Sequence, residues 1–150
     1  MAAATNVKPL KPETETDAEV KATILLVDDD ELLRHSIGRV VRRAGFNLLL
    51  ASDGEEALEI LRNEHVDVIV ADHYMPSMSG LQLLTVARLG WPNTVRILLT
   101  GHADQSVAIQ AINRGEVYRL LQKPCDPAQL TFMLGYAVAR AEQLGLAAAA

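Results

Sequence analysis

The chain is poor in several things, and each absence excludes a class of protein. Its 150 residues hold one cysteine, Cys125, so no internal disulfide framework exists and a reducing compartment fits. No apolar stretch approaches the ~18 residues that a membrane span needs, and the start has no signal-peptide core. The expectation is a soluble, cytoplasmic protein with no membrane contact. An excess of positive charge is also missing: the net charge is −5 and the pI about 5.3, which argues against direct nucleic-acid binding. The basic residues Arg34, Arg39, Arg42 and Arg43 read as the solvated face of one helix, with a docking patch for an acidic partner as the lesser reading. His35 and His65 lack metal-ligand spacing and read as surface residues.

What is present points to one ordinary globular domain. The composition is 49% hydrophobic with a mean hydropathy of +0.11, enough to bury a core at this length. Residues 1–22 contain Pro9 and Pro12 among Lys, Thr and Glu with no apolar periodicity, and read as a flexible leader. Residues 142–150 read as a tail or the start of a linker. Between them, at 23–141, five apolar runs alternate with five helical patterns. The runs are Thr23–Val27, Phe46–Ala51, Val66–Ala71, Val95–Thr100 and Val117–Leu121. Most are continuous rather than alternating, as strands covered on both faces should be. The first helix places Leu33, Ile37, Val40, Val41 and Ala44 inward and stops at Gly45. The second starts on a capping box from Ser52 to Glu55. The third covers about Ser79–Leu89. The fourth starts at Asp104 and buries Val107, Ala108, Ala111 and Ile112. The fifth starts with Asp126 and Pro127. Five βα units in succession predict an α/β fold with a doubly wound, five-stranded parallel sheet.

The chemistry gathers at the strand ends. The first run ends in Asp28-Asp29-Asp30, the third in Asp72, the fourth in Thr100, and the fifth is followed by Lys123-Pro124. In such sheets ligands bind beyond the carboxyl ends of the strands. One aspartate could be a helix cap, but capping needs only one. Carboxylates this close repel one another, and a hard cation such as Mg²⁺ is the usual remedy. A carboxylate can also act as a nucleophile and form an acyl phosphate, while a hydroxyl and an ammonium can pair with phosphoryl oxygens.

Residues 23 to about 140 resemble a response-regulator receiver domain, through Leu26-Val27-Asp28-Asp29, Asp72-His73-Tyr74-Met75-Pro76, Thr100-Gly101 and Lys123-Pro124 in the family's order. The resemblance implies a (βα)5 flavodoxin-like sheet of strand order 2-1-3-4-5. It implies Asp72 as phosphoacceptor, and Asp28, Asp29, Asp72 and the Tyr74 backbone carbonyl as ligands of Mg²⁺, with Mn²⁺ as an alternative. Thr100, Gly101 and Lys123 would bind the phosphoryl group and start the switch, and Pro124 would follow a cis bond. Tyr74 and His102 hold the positions that tune hydrolysis of the acyl phosphate. Such a domain is not a conventional enzyme, although it promotes its own phosphorylation and slow dephosphorylation. Its implied partners are a sensor histidine kinase or histidine phosphotransfer protein, and an output domain or target protein. The face formed by the fourth helix, fifth strand and fifth helix would carry the signal, and a homodimer through it is compatible.

The chain departs from the family pattern at Leu120, where receivers often carry a Tyr or Phe that moves inward on activation. Tyr118, two residues earlier, is expected on the same side of the strand. Cys125 stands where many relatives have an aromatic. The run from Ile112 to Arg119 is similar to receivers attached to cyclic-dinucleotide phosphodiesterases; no output domain is visible. Other functions fit less well. An aspartate-nucleophile phosphatase would need Asp-x-Asp, but Asp72 is followed by His73 and Tyr74. A flavin protein would need a phosphate loop after the first strand. A phosphorylation-independent interaction module on this fold is the main alternative.

Overall fold

The computed structural model describes residues 21–101 and 104–149. Residues 1–20 of the expected leader, and His102, lie outside the described residues. The strands are β1 (Thr23–Val27), β2 (Asn47–Ala51), β3 (Val68–Asp72), β4 (Val95–Thr100) and β5 (Arg119–Gln122). The helices are α1 (Glu31–Arg43), α2 (Gly54–Asn63), α3 (Gly80–Gly90), α4 (Gln105–Asn113) and α5 (Pro127–Ala149). All strand pairs are parallel, in the order β2-β1-β3-β4-β5. Among the described residues no helix is long and apolar enough to cross a membrane.

The continuous apolar runs exist because the sheet is covered on both faces. Along β1, Leu25 and Val27 join Ile69, Ala71 and Leu98 under α2, α3 and α4. Ile24 and Leu26 join Val68, Val70, Ile97 and Leu121 under α1 and α5. Truncating a fully buried leucine such as Leu83 or Leu134 typically costs about 2–5 kcal/mol. Helix starts follow from local capping: Asp30 accepts from Leu33 N–H, and Ser79 forms a reciprocal capping box with Gln82. Gly45, at φ +95°, ends the turn after α1 in the left-handed region that glycine tolerates.

Several local expectations shift by a residue or more. The α2 cap is Asp53, which accepts from Glu56 N–H, while Glu56 rather than Glu55 accepts from Ser52. Val107 is 48% exposed instead of buried, because the narrow stripe of α4 is centred on Ala108 and Ala111, one position round the helix. β3 starts at Val68, just after Asp67, whose side chain accepts Thr23 N–H at 2.8 Å. β5 starts only at Arg119, so the strand alternation does not reach Tyr118. Tyr118 therefore packs with Leu121 on the α1/α5 side, opposite Leu120, and is stacked by the Arg119 guanidinium at 4.5 Å. α5 runs on through residues 142–149, within the stretch that reads as a tail or the start of a linker in the sequence.

Candidate functional site

Strand register brings the acidic residues together. Val27 pairs with Ala71, so Asp28, one residue on, lies beside Asp72. Asp28 N–H extends the ladder to Ala51 carbonyl at 3.1 Å, and Arg34 donates to the Asp28 carbonyl at 2.6 Å. Asp30 N–H donates to Asp28 Oδ1 at 3.0 Å, so the turn that starts α1 also holds the carboxylate. On the other flank His73 N–H donates to Leu99 carbonyl, and Lys123 N–H to Thr100 carbonyl, each at 3.0 Å. The carboxyl edge around the β1–β3 switch point is thus a rigid, hydrogen-bonded rim.

On this rim one carboxylate oxygen from each of Asp28, Asp29 and Asp72 lies within 4.8 Å of the others. Asp28, Asp72 and Thr100 are buried, and Asp29 is exposed. The Lys123 ammonium sits 2.7 Å from Asp72 Oδ1 and 3.9 Å from Asp28 Oδ2. One ammonium against three carboxylates leaves a formal surplus of two negative charges. The electrostatics register it. Burial, then the nearby Asp72 and Asp29, push the Asp28 carboxyl above its ordinary value, against the pull of the Asp30 N–H and Lys123. Burial disfavours the Lys123 ammonium, but its hydrogen bond to Asp72 and the charges of Asp72, Asp28 and Asp29 outweigh this and raise its pKa. Asp28 Oδ2 is buried and has no hydrogen-bond partner among the described residues. An all-oxygen donor set with excess negative charge and an unsatisfied buried oxygen fits a hard divalent cation.

The remaining expected site residues fall around this cluster. Thr100 ends β4, and its hydroxyl donates to the Gly101 carbonyl at 3.0 Å. A Cβ at Gly101 would meet no described atom within 4 Å. The Lys123–Pro124 bond is cis. Cys125 packs on the α1/α5 core, and burial pushes its thiol up, away from reactivity. Leu120 packs against the core on the α2–α4 side. Tyr74 is 65% exposed, and its hydroxyl donates to Asp104 Oδ1 at 2.7 Å, a bond that raises the phenol pKa.

Two residues central to the geometry escape sequence reasoning. Arg34 is half-buried and bound to the Asp28 backbone, whereas Arg39, Arg42 and Arg43 form the exposed basic face. A guanidinium six residues after Asp28, about one turn into α1, was the available signal. Gly80 is the other: a Cβ there would come within 2.2 Å of the Asp72 carbonyl oxygen, and its N–H donates to His73 carbonyl at 2.9 Å. The loop between them turns sharply at Ser77, φ +70°, where Met78 N–H reaches Pro76 carbonyl at 2.7 Å.

Comparison with known proteins agrees with this geometry. The family model described as the response regulator receiver domain matches residues 24–134. The chain is 32% identical to the hydrogenase transcriptional regulatory protein HoxA of Cupriavidus necator, over 75% of this chain and 23% of that protein. It is 28% identical to a cyclic di-GMP phosphodiesterase of Thermotoga maritima, over 77% of this chain and 31% of the other. The chain therefore spans about a quarter to a third of these relatives. A response regulator receiver domain protein from Clostridium thermocellum superposes with a TM-score of 0.77 at 31% identity, covering 82% of this chain and 98% of the other. On the strength of this fold, its acidic rim and these matches, the chain belongs to the response regulator receiver domain family of two-component signalling.

Proposed function

We propose that Asp72 accepts a phosphoryl group from a phosphohistidine on a sensor histidine kinase or histidine phosphotransfer protein. The observation that carries this reading is the 2.7 Å pairing of Lys123 with Asp72 inside the three-carboxylate cluster. A carboxylate oxygen of Asp72 attacks phosphorus in line, the N–P bond of the donor breaks, and its electron pair returns to the imidazole. Lys123 is already within reach of Asp72, so it can transfer its hydrogen bond to a phosphoryl oxygen as the group arrives. The Thr100 hydroxyl can turn from the Gly101 carbonyl to another of these oxygens, and Gly101 leaves room for it. Asp28, Asp29, Asp72 and the Tyr74 main-chain carbonyl would hold Mg²⁺ or Mn²⁺. A bound cation supplies the neutralisation that lets an anionic phosphoryl group approach carboxylates.

Hydrolysis of the acyl phosphate returns the carboxylate, with Tyr74 and His102 governing access of water. The phosphorylated domain signals through α4, β5 and α5 to an output domain or target protein, in a cytoplasmic protein. Relatives of the transcriptional regulator and phosphodiesterase types support either kind of output. Within this reading residues 23–141 form the receiver and 1–22 a leader. One feature favours the alternative of a phosphorylation-independent interaction module: the apolar Leu120 at the position where receivers often carry a moving aromatic. Intact-mass measurement after incubation with acetyl phosphate separates the two. Addition of one phosphoryl group with Mg²⁺, and none in Asp72→Asn, supports the relay; no addition, or equal labelling of the variant, sinks it.

A further inference from the structure

We propose that Asp104 is a positioning residue for this site: it anchors the Tyr74 hydroxyl across the mouth between the loops after β3 and β4, and so slows hydrolysis of the acyl phosphate. The inference rests on the phosphorylation of Asp72 proposed above. Tyr74 lies two residues beyond Asp72, and Asp104 four beyond Thr100. β3 and β4 are neighbours with Asp72 opposite Leu99, so the 2.7 Å bond between Tyr74 and Asp104 bridges the two loops that flank the acceptor. Tyr74 is 65% exposed, and among the described residues the tilted His73 ring at 5.4 Å and the hydroxyl bond to Asp104 hold its ring.

Asp104 gives up another role to make this bond. It stands at the N-cap of α4, yet its side chain makes no capping hydrogen bond, and at φ −105°, ψ 12° its backbone is not in the extended cap conformation. By contrast Asp30, Asp53 and Ser79 all cap their helices. The second oxygen, Asp104 Oδ2, is buried with no hydrogen-bond partner among the described residues. Holding Tyr74 and capping α4 are exclusive uses of this carboxylate, because capping would also require the backbone to leave the tight turn in which Asp104 N–H donates to the Gly101 carbonyl at 3.3 Å. A group with two exclusive arrangements can couple the site to the helix.

In hydrolysis a water oxygen attacks phosphorus and the P–O bond to Asp72 breaks. The carboxylate takes the electron pair, one water proton stays on the phosphate and the other passes to solvent. A ring anchored over the mouth hinders that water, and a released ring admits it. The test uses the full chain, phosphorylated by acetyl phosphate and Mg²⁺ and then freed of donor, with decay followed by intact mass. Tyr74→Phe and Asp104→Ala should each speed decay about threefold, the effect of losing one modest hydrogen bond. The double variant should be no faster than either, and Asp104→Asn, which still accepts from the phenol, should stay near wild type. Amide exchange in the unphosphorylated protein gives a separate readout: Tyr74→Phe should slow exchange in the first turn of α4, because Asp104 is free to cap it, whereas Asp104→Ala should not. Multiplying rate effects, an Asp104→Asn variant as fast as Asp104→Ala, or exchange unchanged in Tyr74→Phe would overturn the proposal. A wild-type chain that takes no phosphoryl group would instead defeat the phosphorelay reading and the kinetic half with it, and the exchange arm would still decide the anchor.

Discussion

Replacing Gly80 by alanine should damage the site without touching any charged group. A Cβ at this position would sit 2.2 Å from the Asp72 carbonyl oxygen, 2.8 Å from the Asp72 carbonyl carbon and 2.9 Å from His73 Cα. Non-bonded carbon atoms rest at ~3.5–4.0 Å, so the neighbours must give by about 1 Å. All three are backbone atoms and have no rotamer to escape into. Either the start of α3 lifts off β3, or the backbone carrying Asp72 moves. Overpacking of this kind costs about 1–3 kcal/mol, and the gain from helix propensity is smaller at a first helical position than the ~1 kcal/mol of a helix interior. A net loss of about 2 kcal/mol in urea unfolding is therefore expected. A displacement of about 1 Å at the reacting carboxylate should slow phosphorylation by about 10²-fold. Gly90→Ala is the control: it lies at the other end of α3 with no atom within 4 Å of a new Cβ, and should be neutral or slightly stabilising. A Gly80→Ala protein that matches wild type in both stability and phosphorylation rate would show that this backbone contact does not hold the site in place.

Removing the ammonium in Lys123→Ala leaves the three carboxylates facing one another. Urea unfolding should show a loss of about 1–2 kcal/mol in metal-free buffer, part of it recovered on adding Mg²⁺. Asp28→Asn should do the opposite for stability while abolishing phosphorylation. Burial, then Asp72 and Asp29, raise the folded-state pKa of Asp28 above its ordinary 3.8, so the folded chain binds this proton more tightly than the unfolded chain. Stability from this group is present at low pH and is lost as pH rises from about 3.8 through the raised folded value. At neutral pH without metal, Asp28→Asn should melt about 3 °C higher and show a flatter pH profile, as measured by thermal scans. On adding a phosphate mimic at Asp72, methyl NMR should keep Leu120 in one rotamer while backbone signals from Thr100 to Asn113 shift; two exchanging Leu120 rotamers would show that this side chain moves after all.

The sheet was legible because its strands are continuous apolar runs, and a run buried on both faces needs no partner to be recognised. The acidic pair, Asp72, Thr100 and Lys123 were legible because each ends a strand, where a parallel sheet collects its chemistry. What stayed hidden depends on contacts between residues far apart in the chain. Asp104 looked like a cap and instead holds Tyr74, thirty residues away. Gly80 reads in the sequence as an ordinary first-turn residue of the third helix, since the approach of its Cα to the Asp72 backbone depends on how the Ser77 turn folds. Tyr118 was misplaced because strand alternation was extended one residue past the start of β5, and a single residue reverses the face. Val107 was misplaced by the analogous one-position error on a nine-residue helix.

Everything proposed for the acidic rim turns on Asp72 as the residue that carries the phosphoryl group. Borohydride reduces an aspartyl phosphate to homoserine, so reduction after treatment with acetyl phosphate, followed by peptide mapping, reads the acceptor directly. Homoserine at position 72, formed with Mg²⁺ and absent when the metal is chelated, is the predicted result. Homoserine at Asp28 or Asp29, or at no residue while Mg²⁺ is present, would contradict it.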